Sequence, residues 1–210
     1  PDRHQGFGDV ALAGPGKLVA AWANKSHSGG TKGISIALSD DLGRTWREGA
    51  LVYPGAGSCV RIQKLTDGSL LLLFDVLDRK DYLDVVLYES QDGGKTWGNQ
   101  RWIRAQRTGS GGLHVPSRVL ELPDGSWLVA TSSYGGTPSN ITEREYVEVH
   151  RSEDRGRTWD LHATIRAAAP HNMCEPSIVA LPDGRLVIYA REWRYDALPG
   201  LKAVSKDGGR

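Results

Sequence analysis

Short apolar runs recur along the chain, and each is broken by a glycine-bearing turn. Residues 60–65 and 70–74 flank Thr66-Asp67-Gly68-Ser69, and residues 178–181 and 186–190 flank Pro182-Asp183-Gly184-Arg185. Equivalent turns stand at Gly14-Pro15-Gly16-Lys17 and Pro123-Asp124-Gly125-Ser126. Short strands bounded by Asp-Gly or Pro-Gly turns are the signature of β-hairpins, so helix is expected to be nearly absent.

A second pattern organises the first. Ser39-Asp40-Asp41-Leu42-Gly43-Arg44-Thr45-Trp46 fits Ser-x-Asp-x-Gly-x-Thr-Trp. So do Ser90-Gln91-Asp92-Gly93-Gly94-Lys95-Thr96-Trp97 and Ser152-Glu153-Asp154-Arg155-Gly156-Arg157-Thr158-Trp159. A fourth copy, Ser205-Lys206-Asp207-Gly208-Gly209-Arg210, stops where Thr-Trp would follow, and successive copies start 51, 62 and 53 residues apart. Asp can accept nearby amides, Gly can take a positive φ, and Trp can anchor the turn with a large buried ring. Asp41, Asp92 and Asp154 therefore read as turn-formers rather than metal ligands or acids.

Each unit then reads as four strands: a, glycine turn, b, variable loop, c, Asp-bearing turn, d. In the first unit these fall near 7–13, 17–23, 32–39 and 46–52. Four-stranded units at this spacing are propeller blades. The expected architecture is all-β, a partial β-propeller domain over 1–210 with about three and three-quarter blades (approximately 1–55, 56–110, 111–168 and 169–210). A closed propeller needs at least four blades, so the chain is expected to be part of a longer one.

Composition changes this picture little. Hydrophobic residues make up 39% of the chain, with 26 glycines and 10 prolines, as suits strands and tight turns. The formal net charge of +1 gives no basic excess for nucleic acid, and no apolar run approaches a membrane span. The opening Pro1-Asp2-Arg3-His4 suggests that upstream residues are missing. Localisation stays open, with a secreted or periplasmic setting favoured, and oligomeric state is not legible. Cys59 and Cys174 lie in different repeats and read as two buried free thiols. No tight His/Cys spacing indicates zinc, and no cofactor is expected.

Antiparallel connectivity sorts the loops. The starts of a, the b–c loops and the d–a links share one rim, where binding residues on a rigid scaffold collect. That rim gathers Lys25 and His27, then Asp75, then His114 and Tyr134, then Glu175, Arg191, Trp193 and Arg194. Carboxylates, imidazoles, guanidiniums and aromatics at one mouth suit a polar sugar, so the expected partner is a carbohydrate.

The Ser-x-Asp-x-Gly-x-Thr-Trp copies resemble the Asp boxes of sialidases and their BNR-repeat relatives, a resemblance that implies six blades in a full protein. The segment from Cys174-Glu175-Pro176-Ser177 to Tyr189-Ala190-Arg191 is similar to the sialidase stretch with Glu opening strand a and Arg closing strand b. The resemblance implies that Glu175 polarises a tyrosine nucleophile and that Arg191 is one of three arginines gripping the substrate carboxylate. The tyrosine and the third arginine would lie beyond residue 210. The first strand, Gly6-Phe7-Gly8-Asp9-Val10, departs from the family's Arg-Ile-Pro, and the first b–c loop, Asn24 to Gly30, has no carboxylate where an acid/base Asp belongs. Asp75 is the substitute acid on offer. Lys25, His27, His114, Tyr134, Trp193 and Arg194 are the substrate-binding candidates. The implied activity is that of a sialidase-like glycoside hydrolase on a carboxylate-bearing glycan. A non-catalytic propeller that binds glycan or protein, a polysaccharide lyase, and a purely structural Glu175–Arg191 ion pair stay open beside it.

Overall fold

The structure is a computed structural model, and it describes residues 6–26, 29–79, 82–105, 110–137, 140–141, 144–192 and 200–209. All regular structure among these is β. Two compact units are found, residues 1–77 with 85–101 and residues 78–84 with 102–210.

In the first unit, β1 (Gly6–Gly14), β2 (Lys17–Ser26), β3 (Gly29–Ser39) and β4 (Arg47–Tyr53) form an antiparallel sheet in chain order. The strands expected at 7–13, 17–23, 32–39 and 46–52 are present, with β2 and β3 extended into the loop between them. β5 (Gly57–Lys64) begins the next meander, which runs through β6 (Leu70–Arg79) and β7 (Tyr82–Ser90) to β8 (Gly98–Ile103). Leu70 to Phe74 are buried on both faces of β6, because an inner strand has a packed layer on either side. β1 and β2 pack against β5, which buries Val19, Ala21, Val60 and Ile62. Full burial of a Val or Ile side chain contributes about 1.5–3 kcal/mol.

The second unit holds β9 (Ser110–His114), β10 (Leu120–Glu121), β11 (Trp127–Thr137), β12 (Asn140–Ile141), β13 (Tyr146–Ser152) and β14 (Asp160–Ile165), followed by β15 (Cys174–Ala180), β16 (Leu186–Arg191) and β17 (Leu201–Ser205). β9, β11, β13 and β14 lie side by side, and β15, β16 and β17 make a separate antiparallel sheet. One core joins these two sheets: Leu128, Ala130, Val147 and Val149 meet Met173, Ile178, Leu186, Ile188 and Ala190. The third strand a is not continuous. It is split into β9 and β10 around Pro116, which has no N–H for the ladder. Ser117 bridges the gap by donating its N–H to Ala130 O at 2.7 Å and accepting Ala130 N–H on Oγ at 3.0 Å.

The Asp-bearing turns share one hydrogen-bond pattern. In the third copy Ser152 Oγ donates to Asp154 Oδ1 at 2.8 Å and accepts Gly156 N–H at 2.7 Å. Asp154 also accepts Thr158 N–H at 2.9 Å and Thr158 Oγ1–H at 2.7 Å, while Trp159 Nε1 donates to Gly156 O at 3.1 Å. The same bonds recur in the copies at Ser39 and Ser90. The Ser205 copy has its Ser–Asp and Gly–Ser bonds at 2.6 and 2.7 Å. The glycine at the fifth position of each turn, Gly43, Gly94, Gly156 and Gly209, sits at φ between 79° and 93°, a region open to Gly at little cost.

Those bonds hold the carboxyls of Asp41, Asp92 and Asp154 down to about 2, the threonine hydroxyl being the largest cause. Because the folded pKa lies below the unfolded one, the unfolded chain binds protons first on acidification. The stability that the turns contribute is complete above about pH 4 and is lost as pH falls toward 2. Thermal unfolding followed through this window will show a falling Tm, and Asp154→Asn will flatten the fall. An unchanged slope in that variant would contradict the role given to the carboxylate.

Candidate functional site

β15 opens with a backbone irregularity. Cys174 pairs with Arg191 on β16, but the next aligned pair is Ser177 with Tyr189, so the ladder slips between them. Pro176 has no donor for that rung, and Glu175 takes φ 49°, uncommon for a residue with a Cβ. Bulges of this kind re-aim side chains at strand ends. Here the result is a Glu175 carboxylate 2.7 Å from Arg191 Nη1, with side chains 43% and 56% exposed respectively. An ion pair this exposed contributes about 0–1 kcal/mol, so the fold has little need of it.

The left-handed residue is a repeated device. Phe7, Cys59 and Glu175 hold it within the first three residues of strand a, and Val115 holds it between β9 and β10, the two parts of the third strand a; the register also slips after Gly6 and after Ser58. No Gly or Asn marks these positions, so nothing in the sequence announced them. In the fourth repeat the bulge is tied down by Glu175 N–H, which donates to Ser132 Oγ at 2.7 Å. Ser132 is fully buried on β11.

Ser132 draws in further residues. It lies opposite His114 in the β9–β11 register, and Tyr134 shares its face of β11. The His114 and Tyr134 rings meet edge to face, centroids 5.1 Å apart. His114 Nε2 lies 3.5 Å from Glu145 Oε1, both side chains at most 15% exposed. Burial lowers the His114 pKa to about 4, leaving a neutral imidazole at pH 7. Glu145 also stands beside Cys174, whose thiol is pushed up first by burial and then by the Glu145 charge. Cys174 Sγ donates to Arg191 O at 3.4 Å. The six residues close a circuit: His114, Ser132, Glu175, Arg191, Cys174, Glu145. Sequence reasoning missed Glu145, which lies in no motif and gains its partners only through tertiary contact.

The remaining candidates are not among these six residues. Asp75 belongs to the first unit, is 4% exposed and lies opposite Ser58 on β6. Its charge adds to burial in pushing the Cys59 thiol up to about 12, and both cysteines are free and buried. Lys25 lies on β2 with its backbone paired to Gly30. His27, Trp193 and Arg194 lie outside the described residues. Among the described residues no group of three or more His, Cys, Asp or Glu is placed to hold a metal ion, and no helix is long and apolar enough to cross a membrane.

Comparison with known proteins bears on the family and the fold. Residues 16–210 match the family described as BNR repeat-like domain. A sialidase of Micromonospora viridifaciens is 28% identical over 169 residues, covering 80% of this chain and 25% of the relative. A sialidase of Bacteroides fragilis (strain YCH46) is 24% identical over 213 residues, covering 86% and 36%. The chain thus spans about a quarter to a third of the length of these relatives. Among solved structures, a protein of unknown function from Dyadobacter fermentans superposes with TM-score 0.77 at 21% identity, over 98% of this chain and 66% of that one. The GH93 α-L-arabinofuranosidase of Fusarium graminearum superposes at 0.67 with 14% identity, over 100% and 66%. The Trypanosoma rangeli sialidase superposes at 0.62 with 17% identity, over 99% and 37%. These likenesses establish the sialidase-type propeller fold.

Removing the hydroxyl that receives Glu175 N–H isolates the strength of the tie. Ser132→Ala will lower unfolding free energy by about 1–3 kcal/mol, the cost of leaving a partly buried amide unmatched. Urea denaturation measures it, and an unchanged midpoint would show that the tie does not hold the bulge.

Proposed function

Because the chain belongs to the BNR repeat-like domain family, we propose that it carries part of the site of a sialidase-like glycoside hydrolase acting on carboxylate-bearing glycans. The coarser statement, a carbohydrate-active propeller, rests on the sialidase relatives and on the propeller fold shared with glycoside hydrolases. The observation that carries the finer one is the exposed Glu175–Arg191 contact of 2.7 Å.

The contact has a chemical consequence. A guanidinium matches a carboxylate with two parallel N–H donors. An acidic sugar entering the mouth competes with Glu175 for Arg191. As Arg191 turns to the sugar, the Glu175 carboxylate is released from its 2.7 Å contact and its oxygens become free to accept a hydrogen bond. A carboxylate freed in this way can take the proton of a hydroxyl nucleophile such as tyrosine, whose ordinary pKa of about 10 leaves it inactive at neutral pH. Substrate binding and base activation are then one event. On the β9–β11 side the buried Tyr134 ring meets His114 edge to face.

The test is release of free sugar from α-sialosides and from uronate-bearing oligosaccharides. Glu175→Gln and Arg191→Ala are each expected to lower kcat/KM by about 100-fold or more, with Arg191→Ala also weakening binding of acidic sugars over neutral ones. Undiminished turnover in either variant overturns the roles given to these residues. Tight binding without turnover would make the propeller a glycan-binding module, and an unsaturated uronate product would make it a lyase.

A further inference from the structure

We propose that His114 carries a proton at this mouth, and that Glu145 is the positioning residue that decides which imidazole nitrogen receives it. The proposal rests on the reading above that the mouth holds an acidic sugar.

Three observations lead to it. First, His114 Nε2 is shut off from solvent with no hydrogen-bond partner at close range, and the group that faces it is Glu145 Oε1 at 3.5 Å. A carboxylate in that position favours a proton on Nε2, which leaves the Nδ1 lone pair as acceptor. Such contacts are often long in unliganded sites and tighten when substrate closes them. Second, the pair is built into the mouth. His114 lies opposite Ser132, which holds the Glu175 backbone, and Glu145 stands beside Cys174, which holds Arg191 O. Third, the His114 and Tyr134 rings meet edge to face with centroids 5.1 Å apart, a contact that holds the imidazole plane. The titratable groups that meet the ring are Glu145 and Tyr134, and burial keeps the imidazole neutral.

The step is a simple transfer. A hydroxyl or water at the bound sugar gives up its proton, an N–H bond forms at Nδ1, and the oxygen keeps the bonding pair. The Nε2 proton stays on the ring, and Glu145 compensates the imidazolium charge. Glu145 never touches substrate, so it acts through His114.

Nitrogen-15 NMR of the histidine side chains in the full chain reads the tautomer without requiring turnover. The expected result is an Nε2–H tautomer, neutral across about pH 5–8, whose Nδ1 signal moves when sialic or glucuronic acid is added. Glu145→Leu should mix the tautomers. Glu145→Gln, whose amide oxygen still accepts from Nε2, should keep the tautomer but lower kcat by about tenfold, with KM nearly unchanged and the acid limb of the pH profile displaced to lower pH. An Nδ1–H tautomer in the parent chain, or one indifferent to Glu145→Leu, overturns the proposal. If calorimetry detects sugar binding and the Nδ1 signal stays fixed, the proposal alone has failed. If neither acid binds, the reading of the mouth has failed and takes this role with it.

Discussion

One carboxylate, accepting a serine hydroxyl, a threonine hydroxyl and a threonine amide, fixes each of the three complete Asp-bearing turns. The set is closed by tryptophan, whose indole N–H caps the turn glycine. Each turn sets where strand c ends and strand d begins, and a one-residue slip in a strand would exchange its buried and exposed faces. With c fixed, strands a and b inherit their register through the ladder. The chemistry at the far end of the sheet is therefore positioned by bonds that take no part in it.

At that far end the molecule spends conformational strain. A left-handed residue stands in the opening of strand a in the first, second and fourth repeats and between the two parts of the third, and only in the fourth is it a carboxylate. The same backbone device that presents Phe7 and Val115 thus presents Glu175, so the positive φ is a property of the scaffold on which the fourth repeat has placed an ionisable group. Ser132 and Cys174 then lock the two sides of the resulting pair, one through the Glu175 amide and the other through the Arg191 carbonyl. An exposed ion pair held by buried neighbours is preorganised without being essential to stability, as suits a group that exchanges its partner for a ligand.

Much of this was legible in the sequence because it is local. The Ser-x-Asp-x-Gly spacing specifies its own hydrogen bonds, and the apolar runs between Asp-Gly turns specify the hairpins. Glu175 and Arg191 were legible as a pair because antiparallel pairing across Pro182-Asp183-Gly184-Arg185 brings the two strand ends together. Glu145 was not, since it precedes β13 in a stretch without periodicity and gains meaning only beside His114 and Cys174. Nor was the split of the third strand a around Pro116, nor the burial of Asp75 between apolar neighbours on β6. These depend on packing between segments distant in sequence, which no local pattern encodes.

The most direct measurement is a crystal structure of the protein soaked with a non-hydrolysable sialic acid analogue. The account predicts the sugar carboxylate seated on Arg191, with the 2.7 Å contact to Glu175 opened and the Ser132 bond to Glu175 N–H retained. A sugar bound with the Glu175–Arg191 contact intact, or seated at the end of the sheet that carries the Asp-bearing turns, would contradict it.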